Sequence, residues 1–114
     1  MNTHRSGNIG EDIATMYLAK QGYVILERNF RAKHGEVDVI AKHDGYFVFI
    51  EVKRRSNTKF GLPREAVNYR KQQTIVQCAK VWLVKNRLYG APVRFDVVEV
   101  LGDEVSLIAD AFRA

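Results

Sequence analysis

Cysteine, proline and long apolar runs are scarce in this chain of 114 residues. The single cysteine, Cys78, cannot form an internal disulfide, and its place in a helical pattern predicts a small packed apolar residue. The longest apolar runs, 46–50 and 81–84, are far shorter than the roughly 20 residues that a membrane-spanning helix needs. The polar first residues lack the apolar stretch of a signal peptide. We therefore expect a cytoplasmic protein without a membrane partner.

The chain length suits one compact domain over residues 1–114, because a second hydrophobic core would need more residues. The composition, 46% hydrophobic and 27% charged, is typical of a folded soluble protein. The formal net charge of +5 favours polyanionic partners, although so small a surplus fits a role in solubility equally well. Several basic residues flank two strands, and each is equally compatible with a solvated surface charge. The candidates for phosphate contact are Arg28, Arg31, Lys33, Arg54, Arg55 and Lys59.

Two segments have the periodicity and the end signals of helices. The first covers 8–21, with Asn8 as a candidate N-cap. Pro63 is placed to open a helix, and Asn68 is placed to cap a longer one that ends before Gly90. The pattern therefore predicts one helix near the start of the chain and one long helix in its second half.

Alternating and β-branched segments predict five strands. The resulting element order, αβββαββ, indicates an α/β fold in which helices cover both faces of a mixed sheet. A polar loop is predicted at 54–61 between the third strand and the second helix. The strands are predicted at 23–30, on both sides of Asp44-Gly45, at 92–101 and at 104–109.

The two strands around Asp44-Gly45 form the clearest local signal, because Asp-Gly favours a two-residue hairpin turn. Such a turn places residues whose numbers sum to 89 opposite each other. One face of the hairpin is then apolar, and the other collects charges at one end. The predicted apolar pairs are Ala41 with Val48, Val39 with Ile50, and Val37 with Val52. The predicted pairs of the other face are Ile40 with Phe49, Asp38 with Glu51, and Glu36 with Lys53.

Asp38 and Glu51, if opposed, place two like charges side by side, which a divalent cation would relieve. Mg²⁺ is commonly held by one or two carboxylates together with water and phosphate oxygens. Lys53 shares the face of Glu51 and is placed to orient a water molecule or to neutralise a phosphate. A set of salt bridges on a solvated hairpin is the alternative. Apolar neighbours such as Phe49 favour the metal site, since buried carboxylates need a partner.

The first helix carries an apolar stripe next to a row that includes one acid. Glu11 lies on the row of Ala14 and Leu18 and is placed to lean into the site as a further ligand. A carboxylate near a helix N-terminus that satisfies a backbone amide explains Glu11 equally well. The predicted stripe comprises Ile9, Ile13, Met16 and Tyr17.

The arrangement of Asp38 with Glu51-Val52-Lys53 resembles the PD-(D/E)XK nuclease signature, with Val37 in the place of the proline. A wider set of positions resembles the bacterial YraN-like family almost from end to end, and that family is similar to archaeal Holliday-junction resolvases. The positions are Gly10-Glu11-Asp12, Ala14, Tyr17-Leu18, Gly22-Tyr23, Arg28-Asn29-Phe30-Arg31, Gly35-Glu36-Val37-Asp38, Val48-Phe49-Ile50-Glu51-Val52-Lys53, Phe60-Gly61, Pro63, Glu65-Ala66-Val67 and Arg94-Phe95-Asp96-Val97.

The resemblance implies a restriction-endonuclease-like core with Asp38, Glu51 and Lys53 as catalytic residues. It also implies a site for Mg²⁺ or Mn²⁺ formed by Glu11, Asp38 and Glu51. We therefore expect a metal-dependent endonuclease that acts on duplex or branched DNA. By analogy with resolvases that cut symmetrically, we also expect a homodimer.

Two other functions remain open from the sequence. A non-catalytic DNA-binding or scaffold protein would keep the same fold and acidic pair. An enzyme that acts on RNA is a third hypothesis, although no interleaved aromatic platform for stacking single-stranded bases is visible. Cleavage that depends on the metal and on Asp38 and Lys53 separates a nuclease from a binding protein.

Overall fold

A computed structural model describes residues 9–55 and 67–114, and the elements follow the expected order αβββαββ. Asn8, Lys59 and Pro63, together with the functions expected of them, lie outside the described residues. Within the described ranges, neither helix is long and apolar enough to cross a membrane. The elements are α1 (Ile9–Lys20), β1 (Val24–Ala32), β2 (Gly35–His43), β3 (Tyr46–Arg55), α2 (Tyr69–Lys85), β4 (Val93–Leu101) and β5 (Glu104–Phe112).

The five strands form one mixed sheet in the order β1-β2-β3-β4-β5. Neighbouring strands are antiparallel except β3 and β4, which run parallel and are connected through α2. As expected, Asn68 caps α2, because its side chain accepts a hydrogen bond from the backbone N–H of Lys71 at 2.9 Å. This connection brings the first turn of α2 beside Glu51 in β3.

Each face of the sheet packs against one helix. Cys78 lies on the buried face of α2 and packs there as a small apolar residue, which confirms the prediction. Phe112 joins the same core by stacking on Phe95, with 5.2 Å between the ring centroids. The core under α1 includes Ala14, Leu18, Tyr23, Val39, Ala41, Val48, Ile50, Val98 and Val100. The core under α2 includes Phe30, Val37, Ile40, Phe49, Ile75, Ala79, Trp82, Phe95 and Val97.

The apolar stripe predicted for α1 is only partly confirmed, because Ile13 packs against the core under α1 but two other members do not. Ile9 and Met16 are 50% and 64% exposed, whereas Glu11, Ala14 and Leu18 are buried against the sheet. A buried carboxylate needs hydrogen-bond donors, and β1 supplies two of them to Glu11. The helix therefore buries the row that contains Glu11 and leaves Ile9 and Met16 of the predicted stripe exposed.

The predicted register of the β2–β3 hairpin is confirmed from the turn as far as Val39, which lies opposite Ile50. Asp44 and Gly45 both have positive φ, at 51° and 83°, as a two-residue turn that matches the twist of its strands requires. The turn thus sets which side chains of β2 and β3 share a face over this part of the hairpin.

Past Val39 the predicted pairing does not continue, and the alternation of β2 is interrupted. Val37 packs in the core under α2, whereas Val39 packs in the core under α1. Asn29 stands opposite this point in β1 with a φ of 56°, so both strands are distorted together. Asp38 therefore lies between two residues that point to opposite faces. The predicted pairs that do not form are Asp38 with Glu51, Val37 with Val52, and Glu36 with Lys53.

Three strands run further than predicted, and the first of them, β1, ends at Ala32 and not at residue 30. Arg54 and Arg55 belong to β3 and not to a loop, because β3 pairs with β4 until Arg55 lies beside Leu101. The last strand, β5, continues to Phe112, where apolar burial against Phe95 extends the pairing. The basic pair that follows Lys53 is consequently held by the sheet.

Candidate functional site

The site begins where β2 and β3 part. The backbone N–H of Val52 points toward β2, and it donates to Oδ2 of Asp38 at 2.8 Å. The Asp38 carboxylate thus replaces the backbone acceptor that a continued hairpin would supply. Since Val37 and Val39 face opposite sides, Asp38 lies close to the plane of the sheet. Its charge acts both on Glu11, on the side of α1, and on Glu51, on the side of α2.

Glu51 approaches Asp38 from the face that α2 covers. The residue is only 4% exposed, and the Asp38 side chain lies within hydrogen-bonding reach of its carboxyl. Burial raises the pKa of Glu51 to about 8, and Asp38 adds to this rise while Lys71 and Lys53 oppose it. Among the described residues, no hydrogen-bond donor reaches Glu51 Oε1. The pair therefore holds a buried carboxylate oxygen with unused capacity to accept a proton or a cation.

Two ammonium groups approach the other oxygen of Glu51. Lys53 Nζ lies 4.0 Å from Glu51 Oε2, and Lys71 Nζ lies 3.8 Å from the same atom. Lys53 comes from the same strand two residues further on, as the alternation predicts. Lys71 comes from the first turn of α2. The face under α2 therefore combines one buried acid with two partly exposed bases.

Glu11 approaches Asp38 from the face that α1 covers. Its Oε1 accepts hydrogen bonds from Arg28 Nε at 2.9 Å and from Asn29 Nδ2 at 3.0 Å. Burial raises the pKa of Glu11, and Asp38 raises it further, while the hydrogen bonds from Arg28 and Asn29 act in the opposite direction. Glu11 and Asp38 line one cleft of about 190 Å³ together with Gly10, Asn29, Glu36, Val52 and Arg54.

Glu11 and Glu51 thus both adjoin Asp38, but the three carboxylates do not together form one set of metal ligands. Within the two described ranges, no group of three or more Asp, Glu, His or Cys side chains stands close enough to hold a metal ion. Asp38 and Glu51 alone do fit a divalent cation, because Mg²⁺ needs only one or two carboxylates in addition to water and phosphate oxygens. The partnerless Oε1 of Glu51 is the atom that such a cation would satisfy.

The basic residues that the sequence suggested for phosphate contact have different environments. Arg28 is drawn to α1 by Glu11 and Asp12. The side chain of Arg55 is only 9% exposed and forms an ion pair with Glu99. The side chains of these two residues are therefore committed within the fold.

Three of the suggested basic residues are exposed, namely Arg31, Lys33 and Arg54. Arg31 lies 3.6 Å from Glu36. The sequence had instead predicted that Glu36 pairs with Lys53. The side chain of Arg54 runs over Gly10, where an added Cβ would lie only 3.1 Å from its Cδ. Among the suggested residues that the structure describes, these three are exposed enough to meet a ligand at the surface.

Two residues of the site were missed from the sequence. Asn29 adopts a φ of 56°, a backbone region that asparagine tolerates better than most residues, and its side chain reaches Glu11. An asparagine within a run of strand-forming residues was the available signal. Lys71 follows Asn68 by one helical turn, and the predicted cap was the only indication that it opens α2 beside the sheet.

The segment Arg94 to Val97, one of the positions of the family resemblance, forms a separate cluster. Asp96 is fully buried and accepts hydrogen bonds from Tyr23 Oη at 2.6 Å, from Arg94 Nε at 3.0 Å and from the backbone N–H of Asp110 at 2.8 Å. These bonds tie β4 to the start of β1 and to β5. Because its hydrogen bonds connect three strands, we assign this cluster to the stability of the sheet.

Comparison with known proteins gives one consistent family. The pattern of the uncharacterised protein family UPF0102 matches residues 10–100. A UPF0102 protein of Clostridioides difficile strain 630 is 45% identical over 114 residues, which cover 98% of this chain and 100% of that protein. A UPF0102 protein of Lachnoclostridium phytofermentans is 47% identical over 115 residues, covering 100% and 98%. A UPF0102 protein of Trichlorobacter lovleyi is 52% identical over 96 residues, covering 83% and 76%. The YraN-like resemblance is confirmed, and the chain belongs to the uncharacterised protein family UPF0102.

Proposed function

We propose that this protein is a metal-dependent nuclease of the PD-(D/E)XK superfamily, with a restriction-endonuclease-like fold, that hydrolyses phosphodiester bonds in DNA. The observation that carries the proposal is the buried Glu51 carboxyl, on which the charge of Asp38 acts and whose Oε1 has no hydrogen-bond donor among the described residues. Two adjoining acids are unfavourable in a sheet unless a proton or a cation lies between them. A solvated set of surface salt bridges does not account for a glutamate that is 4% exposed.

Asp38 and Glu51 would hold Mg²⁺ or Mn²⁺ through their oxygens, which are the ligands that these ions prefer. When bound, the ion supplies charge stabilisation for the phosphodiester and eases deprotonation of the attacking water. The hydrogen bond from Val52 fixes Oδ2 of Asp38, so the carboxylate keeps one orientation. Glu11 adjoins Asp38 across the cleft, where it is placed for a contact through water.

Lys53 is the proposed catalytic base or electrostatic partner on the same face as Glu51. Its ammonium is partly exposed and 4.0 Å from Glu51 Oε2, so a phosphate that enters from solvent can reach it. A positive charge at this place neutralises the negative charge that develops on phosphorus in the transition state. Exposed Arg31, Lys33 and Arg54 would contact phosphates further along the backbone and so position the substrate without reading its sequence.

Duplex or branched DNA is the proposed substrate, in the cytoplasm, and symmetrical cutting of a junction would require two copies of the chain. Light scattering with and without a synthetic four-way junction measures the number of copies. A dimer is expected at least on the junction. A single copy on the junction would contradict paired cutting. The protein would then cut only one strand of the junction at a time.

The test of the proposed function is cleavage of labelled junction, flap and linear duplex DNA, with an RNA duplex in parallel, in Mg²⁺ or Mn²⁺. Asp38→Asn, Glu51→Gln and Lys53→Ala should each lower the cleavage rate by at least about a hundredfold, as is usual when one charge-stabilising group is removed. Glu104→Gln changes an exposed acid in β5 and serves as the matched control.

Cleavage that survives undiminished in all three variants would refute the assigned site. Binding of DNA without cleavage of any substrate would favour the alternative of a DNA-binding protein that keeps the fold. Preferential cleavage of the RNA duplex would agree with the assigned site, but the substrate would then be RNA and not DNA.

A further inference from the structure

The first turn of α2 breaks a general preference of helices. It contains Arg70 and Lys71 but no acidic residue. A helix N-terminus carries a partial positive charge, so cations placed there are unfavourable and acids are favourable. Two adjacent cations at this end therefore cost stability in the isolated protein. Positions that break a local preference are candidates for function.

Lys71 shares its acidic partner with another lysine. Its Nζ lies 3.8 Å from Glu51 Oε2, and the Nζ of Lys53 lies 4.0 Å from the same oxygen. One carboxylate is thus shared by two ammonium groups that originate from different elements. Both lysine side chains are partly exposed.

A second and independent observation also indicates that the place accepts a ligand. Glu51 is 4% exposed, and within the described part of the chain its Oε1 has no hydrogen-bond donor. The α2 terminus and the two lysines surround a carboxylate that the protein alone does not satisfy. A phosphate that binds together with a divalent cation would give a partner both to the two ammonium groups and to the Glu51 carboxylate.

We propose that Lys71 and Lys53 jointly bind the oxygens of one phosphate of a nucleic-acid backbone, which makes Lys71 a second phosphate-binding residue of the site. This inference rests on the proposed function. A lysine ammonium acts as a point charge toward phosphate, and the positive end of α2 adds to the attraction. Lys71 reaches the phosphate from the helix and Lys53 reaches it from the sheet, so the phosphate is held between the two layers.

The experiment measures binding and does not require cleavage. The affinity for a fluorescent DNA duplex is measured by anisotropy in Ca²⁺, which carboxylate oxygens also bind, across a salt series for the wild type, Lys71→Gln and Lys71→Arg. Loss of one phosphate contact lowers the slope of log affinity against log salt by about 0.9 and weakens binding roughly tenfold near 0.1 M salt. Lys71→Arg keeps the charge and should keep the slope. Lys80→Gln, an exposed lysine further along α2, is the matched control and should leave the slope unchanged.

A purely structural role for Lys71 gives a different result. Lys71→Gln would then change the free energy of unfolding, because an ion pair with Glu51 is lost, while the salt slope stays that of the wild type. That outcome overturns the inference even if cleavage is found. If the salt slope depends on Lys71 but no DNA is cleaved, the inference is supported and the proposed nuclease activity is contradicted. A wild type that binds no DNA overturns both.

Discussion

Replacing Glu51 by glutamine should make the metal-free protein more stable at neutral and alkaline pH. Burial raises the pKa of Glu51 from 4.5 to about 8. At about 1.4 kcal/mol per pKa unit, ionising this carboxyl in the folded protein costs on the order of 3 to 5 kcal/mol more than in the unfolded chain. Because the folded pKa is the higher one, the contribution of protonated Glu51 to stability is fully present below pH about 4.5 and is lost as the pH rises toward about 8.

Glutamine has the shape of the protonated glutamate and does not titrate. The free energies of unfolding of wild type and Glu51→Gln should therefore be similar near pH 4.5, and they should differ by on the order of 3 kcal/mol, in favour of glutamine, at pH about 8. Urea unfolding in EDTA measures both, because Trp82 is the single tryptophan and lies in the core under α2. Glu104→Gln removes an exposed acid and controls for the change in net charge.

Divalent ions should reverse the order of stability of the wild type and Glu51→Gln. A ligand that binds only the folded state stabilises it, so Mg²⁺ should raise the stability of the wild type at pH about 8 and leave Glu51→Gln nearly unchanged. A difference between the two proteins that does not vary with pH would refute the reasoning, because Glu51 would then ionise as easily in the folded protein as in the unfolded chain.

Three further results are expected from the same structure. Asp96→Ala leaves the buried guanidinium of Arg94 without its acid and should lower the free energy of unfolding by about 3 to 5 kcal/mol; a loss below about 1 kcal/mol in urea unfolding would contradict the assigned role. A Cβ on Gly35 would clash with Thr74 Cγ2, so Gly35→Ala should cost about 1 to 3 kcal/mol. Adding Thr74→Ser, which removes that methyl group, should restore most of the loss, and no rescue would mean that the strain lies elsewhere. Binding of Mg²⁺ should strengthen as the pH rises toward about 8 and release a proton from Glu51, which calorimetry in two buffers of different ionisation enthalpy detects; affinity that is independent of pH would argue against Glu51 as a ligand.

Much of the fold follows from local sequence signals. The Asp44-Gly45 turn requires two positive φ angles, and it therefore determined the hairpin register up to Val39. Asn68 was identifiable as a cap because its side chain acts on the next turn alone. Signals of this kind depend on a few neighbouring residues, and the sequence displays them directly.

The parts that could not be predicted depend on contacts between distant segments. Burial of Glu11 in place of the more apolar row of α1 requires donors from Arg28 and Asn29, which lie 17 and 18 residues away. The place of Lys71 beside Glu51 follows from how α2 crosses the sheet, and no local pattern encodes it.

The details of the site also differ from a regular hairpin. Periodicity places Asp38 on one face of β2, but the distortion shared with Asn29 brings its carboxylate near the sheet plane, where it accepts from Val52. The sequence therefore indicated which acids meet, Asp38 and Glu51. It did not indicate that they meet through a break in the strand pairing.

The central claim is that Asp38 and Glu51 together bind one divalent ion. A titration with Mn²⁺ at pH about 8, followed by electron paramagnetic resonance, tests it directly and does not depend on any substrate. The wild type and Glu104→Gln should bind one ion per chain, and Asp38→Asn and Glu51→Gln should each weaken binding by at least about tenfold. Binding of Mn²⁺ that is equally tight in both site variants, or absent from the wild type, would contradict the account.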